Sequence, residues 1–301
     1  MLRRLTYLLC LLWLLSLAAC DTPLRHWGPL ADGALEGFNY YAQLPAAARN
    51  VPYVPDGDPA QVLDIYAVDA PGPAPVFVFI HGGYWQSGTI KLYGSLAKSL
   101  AGLGVVTVMV EYRLYPQVTF PAFMDDAVAA LNWVHAHIGE YGGDPDRIVV
   151  SGHSAGAHMA ALLLVDDRFR SRLDFPVAQL AGAAIFSGAF DFYHENTLDM
   201  TVIRHVMGDD EETVRLAQPI VHARPDVPPM LIINGDRDEL TSEPQAALFA
   251  RAMRDAGAPV TYVKIPGGDH LSVILDIAPG AEGPAWQALL PFLGQVYAKR
   301  K

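Results

Sequence analysis

The stretch Ile148-Val149-Val150-Ser151-Gly152-His153-Ser154-Ala155-Gly156 constrains this chain most. Its β-branched start reads as a buried strand. The residues after it, Ala157 to Val165, are mostly Ala and Leu and read as a helix. Between them stands G-x-S-x-G with Ser154 at its centre. A strand that passes into a helix this abruptly must turn sharply, and the small neighbours let the backbone fold tightly enough to push the hydroxyl out. The helix N-terminus behind it aims N–H groups and a partial positive charge at the same point. An unreactive Gly/Ser turn is the plain alternative. The strand and helix flanks favour the reactive one.

The rest of the chain repeats that alternation. Gln61 to Ala67, Pro75 to Ile80, Val105 to Glu111, Ala181 to Phe186, Pro228 to Asn234 and Pro259 to Ile265 read as strands. Asp125 to Ile138, Ser242 to Ala256 and about Pro284 to Ala298 carry helical signals. Strands alternating with helices predict an α/β fold: a mostly parallel sheet with helices on both faces. The 301 residues, 51% hydrophobic and 18% charged, suffice for one large core. We place that domain at 59–301. Within it, about 190–224 loses its hydrophobic period and gains charge, so it reads as a short lid.

The beginning reads differently. Met1-Leu2-Arg3-Arg4 is a positive region, Leu5 to Leu17 is almost wholly apolar, and Leu17-Ala18-Ala19-Cys20 closes it. The run is short for a spanning helix and suits an export signal over 1–19. The ending resembles a bacterial lipoprotein box, which implies cleavage before Cys20 and a lipid anchor on it. The expected location is therefore exported and membrane-anchored. Residues 20–58, rich in Pro, Ala and Gly from Asp21 to Asp58 and weakly periodic, read as a tether and then a segment packed over the body.

Cys10 and Cys20 are the only cysteines, so the body carries no disulfide or thiolate metal site. A net charge of −11 argues against a nucleic-acid partner. No dinucleotide fingerprint, phosphate loop or HExxH is present, so neither cofactor nor metal is expected.

His81-Gly82-Gly83-Tyr84-Trp85 follows a predicted central strand. Glycines there can turn backbone N–H groups toward an oxyanion, so Gly82, Gly83 and Ala155 are the candidate donors. Tyr84 and Trp85 offer flat apolar surface to wall an acyl or aryl site. His81 reads as structural. Two late strands end in Gly235-Asp236-Arg237-Asp238-Glu239 and Pro266-Gly267-Gly268-Asp269-His270. The loops at the carboxyl edge of such a sheet converge on one crevice. His270 would take the proton of Ser154 and Asp238 would orient the imidazole. Asp236 is the rival acid and Glu239 a weaker one. His153, His158, His194, His205 and His222 read as core or lid residues without a matching partner.

These motifs carry a resemblance. His81 to Gly88 (H-G-G-Y-W-Q-S-G) with Gly152 to His158 (G-H-S-A-G-A-H) resembles the arylformamidase (kynurenine formamidase) branch of the α/β-hydrolases. Glu111-Tyr112-Arg113-Leu114 and Gly143 to Ile148 resemble the wider hormone-sensitive-lipase-like esterases. The resemblance spans about Gln61 to His270. It implies the α/β-hydrolase fold, the Gly82/Gly83/Ala155 oxyanion hole and hydrolysis of small esters or formamides without a cofactor. It also implies an acid three residues past the small residue ending its strand, which Gly235 and Asp238 match. Kynurenine breakdown in that family is cytosolic, whereas an export leader favours a general carboxylesterase acting on small carboxylic esters. The alternatives are a formamidase and a binding protein on the same fold that does no chemistry.

Overall fold

The structure is a computed structural model and describes residues 41–194, 199–280 and 282–298. The strands are β1 (Ala48–Pro52), β2 (Val62–Tyr66), β3 (Ala74–Ile80), β4 (Val106–Val110), β5 (Gly143–His153), β6 (Gly182–Phe186), β7 (Met230–Gly235) and β8 (Val260–Ile265). They join in one sheet in the order β1-β2-β4-β3-β5-β6-β7-β8. β1 and β2 pair antiparallel, as do β2 and β4, and every other pairing is parallel. This is the α/β fold expected, with a mostly parallel sheet.

Helices connect the parallel strands. α1 (Gly94–Gly102) links β3 to β4, α2 (Ala122–His137) links β4 to β5, and α3 (Ala155–Val165) follows β5 directly. The short α4 (Asp167–Arg170) follows α3. Between β6 and β7 lie α5 (Met200–Met207) and α6 (Glu211–Leu216); α7 (Glu243–Asp255) precedes β8, and α8 (Ser272–Leu275) and α9 (Pro284–Ala298) follow it.

A buried parallel strand is apolar on both sides, and β3 divides its side chains between two cores. Val76, Val78 and Ile80 pack with Leu131 and Val134 of α2 and with Leu162 of α3. Phe77 and Phe79 pack with Leu96 and Leu100 of α1 and Leu289 and Leu293 of α9. All eleven residues of α3 are buried. A helix covered all round has no polar face to show, which explains why it is mostly Ala and Leu, with His158 its one polar side chain.

Three regions depart from the sequence reading. β1 is a strand where a packing segment was expected. Arg49 holds it: Nη1 donates to Asp64 Oδ2 at 3.0 Å, and the guanidinium lies 4.3 Å from the Tyr41 ring centre. β5 begins at Gly143, although Gly-Asp-Pro-Asp reads as a loop; a register shift between Ala74 and Val76 lets the strand start early. The described part of the segment read as a lid turns its apolar side chains inward. Phe190, Phe192, Ile203, Val206 and Val214 are all buried in the larger core, and the Val206 carbonyl accepts from Phe120 N–H. The leader and Cys20 lie outside the described residues. Among the described residues, no helix is long and apolar enough to cross a membrane.

Candidate active site

The chain runs from β3 to one side and returns to the other, so β3 and β5 are adjacent but far apart in sequence. Such a reversal opens a crevice at the strand carboxyl ends. Ile80 and Gly152 are register partners there. The His-Gly-Gly loop and the G-x-S-x-G turn therefore face each other across two neighbouring strands.

Ser154 sits at φ 56° and ψ −119°, a strained conformation for a residue with a side chain. Its flanks show why the neighbours are glycine. A Cβ on Gly152 would lie 2.4 Å from the Gly156 carbonyl, and one on Gly156 would lie 2.1 Å from the Ile80 oxygen. The strain is held by Ser154 N–H donating to the Phe186 carbonyl at 3.0 Å, and by its own carbonyl accepting from His158 N–H at 3.0 Å.

Asp238 and His270 come together beside this turn. His270 Nδ1 donates to Asp238 Oδ2 at 2.9 Å, with Oδ1 at 3.1 Å. Oδ1 also accepts from the N–H groups of Leu240 at 3.0 Å and Thr241 at 2.8 Å. The Thr241 hydroxyl stands 2.9 Å from Oδ2. Burial pushes the Asp238 carboxyl up, but the His270 ring, the Thr241 N–H and the Ser187 side chain outweigh it and hold the group below the usual carboxylate range. Asp238 is therefore ionised, and it fixes the tautomer that leaves His270 Nε2 unprotonated in the neutral ring. Asp236 is exposed and accepts instead from Gly267 N–H at 2.6 Å, bracing the turn before His270. Glu239 is exposed.

The His-Gly-Gly loop is pinned from two directions. His81, fully buried, donates from Nδ1 to the Gly82 carbonyl at 2.7 Å. In a trans peptide C=O and N–H point oppositely, so this bond aims the Gly83 N–H away from His81. His81 Nε2 lies 3.1 Å from Glu111 Oε2. Glu111 Oε1 accepts from the Thr89 hydroxyl at 2.7 Å, tying down the far end of the loop. The Tyr112 ring stacks on His81 with centroids 4.4 Å apart. Arg113, next in the same Glu-Tyr-Arg run, donates from Nη2 to Asp126 Oδ1 at 2.6 Å. Both sequence motifs thus build one support. Among the described residues, the N–H groups of Gly83, Tyr84 and Ala155 meet no acceptor.

Two expectations are corrected. Gly82 N–H donates to the Tyr93 hydroxyl at 3.1 Å, so it is not free to serve as an oxyanion donor. Its glycine is needed for approach, since a Cβ there would lie 2.8 Å from the His153 carbonyl. Trp85 is 1% exposed and does not wall an open site. Tyr84 and Trp85 both take positive φ, 55° and 58°, which turns the loop back and sends the indole inward against Phe123, His158 and Phe192. Tyr84 stays partly exposed. Burial, with Asp238 and Asp199 nearby, pushes its hydroxyl up to about 12, which keeps it protonated.

His153 also has partners that sequence reasoning missed. Its Nε2 donates to the His270 carbonyl at 2.7 Å, and its Nδ1 stands 3.1 Å from the Tyr93 hydroxyl. Those partners lie 117 and 60 residues away, so no local signal marks them.

Comparison with known proteins agrees with this architecture. A family model described as the alpha/beta hydrolase fold matches residues 77–274. The chain is 32% identical over 272 residues to the esterase LipQ of Mycobacterium tuberculosis, covering 85% of this chain and 64% of that protein. It therefore spans somewhat under two thirds of that relative's length. It is 26% identical over 229 residues to kynurenine formamidase of Drosophila melanogaster, covering 74% and 75%. Among solved structures, esterase 2 of Thermogutta terrifontis phosphoramylated by tabun is 27% identical, with a TM-score of 0.66 and coverage of 85% and 96%. Sheet order, strained turn and family match agree: the chain belongs to the α/β-hydrolases.

Proposed function

We propose that this protein is a serine hydrolase that cleaves small carboxylic esters through a covalent acyl-enzyme. One observation carries the reading: an ionised, buried Asp238 bonded to His270 Nδ1 at 2.9 Å, next to a serine on a strained turn. His270 Nε2 takes the proton of Ser154 Oγ as that oxygen attacks the ester carbonyl carbon. Negative charge gathers on the carbonyl oxygen, where the N–H groups of Gly83 and Ala155 receive it. The intermediate collapses, the C–O bond to the alcohol breaks, and His270 returns its proton to the leaving oxygen. Water then repeats both steps on the acyl-enzyme, releasing the acid and restoring Ser154. The neighbouring esterase modified by tabun supports a nucleophile open to organophosphorus reagents.

The substrate is a short-chain or aromatic ester. Phe190, Phe192, Ile203, Val206 and Val214 pack into the core, and the same stretch of chain carries the acids Asp209, Asp210, Glu211 and Glu212, which suits no long acyl chain. Tyr84 is the aromatic that borders the site. Lipid attachment at Cys20 and an exported, membrane-anchored location complete the reading, supported by Leu17-Ala18-Ala19-Cys20. A formamidase is the second reading, favoured by the His-Gly-Gly-Tyr-Trp run and the formamidase relative. Specificity is a ratio of kcat/KM values. We expect kcat/KM for phenyl acetate or a butyrate ester to exceed that for N-formylkynurenine; the reverse order would restore the formamidase.

A further inference from the structure

The neutral, buried His153 is a titratable group that the proposed chemistry does not use. Every proton around it can be assigned. The His270 carbonyl can only accept, so the 2.7 Å contact requires a proton on His153 Nε2. Burial, together with the neighbouring His270, pushes His153 down to about 3, so near neutral pH its Nδ1 carries a lone pair. The Tyr93 hydroxyl, 3.1 Å away, must donate to that lone pair. The Tyr93 oxygen in turn accepts the Gly82 N–H at 3.1 Å. The result is a directed chain: Gly82 N–H to Tyr93, Tyr93 O–H to His153, His153 N–H to the His270 backbone. Tyr93 is 6% and His153 2% exposed, so water does not compete for these bonds.

We infer that Tyr93 and His153 form a positioning strut that sets the oxyanion loop and the His270 loop relative to each other. Neither residue touches the reacting atoms. Gly82 is thereby gripped at both ends of its backbone, at N–H by Tyr93 and at C=O by His81. That grip carries to Gly83 N–H through the shared peptide plane. At the other end, the strut holds the backbone of His270, whose ring is aimed by Asp238. The proton acceptor and the oxyanion donor thus share one brace that crosses the elbow just before Ser154. A shift of about 1 Å in such groups can cost a hundredfold in rate.

The inference rests on the serine esterase reading, and the test separates the two. In the full-length protein with phenyl acetate, Tyr93→Phe and His153→Leu should each lower kcat about 10- to 100-fold, the scale of one buried hydrogen bond lost from a working geometry. KM should stay within about threefold, since the strut acts on the transition state rather than on substrate binding. Affinity for an aryl trifluoromethyl ketone, which mimics the tetrahedral state, should fall in step with kcat/KM. The double variant should lose little more than the worse single, because one unit is broken once. His153→Gln, which keeps an amide donor, should recover part of the loss. Folded single variants with wild-type kcat, or losses that add fully in the double, would overturn the strut. If His153→Leu does not fold, Tyr93→Phe decides alone, since it deletes a single oxygen. Fluorophosphonate labelling tests the underlying reading: no label on Ser154 sinks the esterase, whereas a labelled enzyme indifferent to Tyr93→Phe sinks only the strut.

Discussion

The Ser154 turn and the Asp238–His270 pair are built by opposite means. The turn is local. Strand, Gly152, Ser154, Gly156 and helix are consecutive, and the backbone oxygen of one adjacent strand supplies the wall that excludes a Cβ. The pair is assembled. Asp238 and His270 come from the ends of β7 and β8, and their contact depends on those strands lying side by side in register, Gly235 opposite Ile265. Local strain concentrates reactivity at one atom. Assembly lets buried partners from several loops set the ionisation of a carboxylate that no short peptide could hold. Thr241 illustrates the second case, with its N–H on Asp238 Oδ1 and its hydroxyl near Oδ2.

Removing the proposed nucleophile should show the largest effect. Ser154→Ala is expected to lower kcat by about 10⁵ to 10⁶ and to abolish fluorophosphonate labelling while the thermal midpoint holds. Label retained by the alanine variant would locate the nucleophile elsewhere. Breaking the assembled side comes next. Asp238→Asn should cost about 10⁴ in kcat, since it disturbs the tautomer of His270. Asp236→Asn, which loses only a bond to the Gly267 turn, should stay within about tenfold. Equal losses from the two would dissolve the distinction between the rival acids.

A stability measurement sharpens the comparison from another side. Burial pushes His153 down to about 3 and His158 down to about 4. Both are neutral in the native state where the unfolded chain, titrating near 6.5, takes up protons. Their contribution to stability is therefore complete above pH 6.5 and is lost as pH falls from there toward 4. Each can add a slope of up to about 1.4 kcal/mol per pH unit in that window. The thermal midpoint should be level above pH 7 and decline between 6.5 and 4, and His153→Gln should make the decline shallower. An unchanged slope would mean that His153 is not held neutral by the fold. Asp238 acts in a separate window. Its depressed value stabilises the native state at neutral pH, and that contribution is lost only as pH falls below about 4.

Smallest is the effect at Tyr84. Its partial exposure lets Tyr84→Phe change kcat/KM between phenyl acetate and an aliphatic butyrate ester by no more than about tenfold, the scale of a single hydrogen bond or apolar contact. A loss above a hundredfold on both esters would move Tyr84 from the border of the site into its chemistry.

Sequence by itself determined the elements whose pattern is short-range. The apolar runs of β2 to β8, the Ser154 turn with its glycines, the helix from Pro284 to Ala298 and the resemblance at His81 to Gly88 were legible because each signal fits within a few residues. β1 was not, since its half-exposed side chains carry no period and only pairing with β2 makes it a strand. The early start of β5 hid behind turn-forming residues. The choice of Asp238 over Asp236 leaned on position past Gly235, yet the two carboxylates differ chiefly in what surrounds them. Trp85 and Gly82 carried plausible local chemistry that tertiary contacts assigned elsewhere, one to the core and one to Tyr93. His153 gave no sign of its partners. Hydrophobic periodicity reports which face of an element is buried, whereas a hydrogen bond depends on the position of single atoms within fractions of an ångström. Those positions arise only when strands distant in sequence are packed side by side.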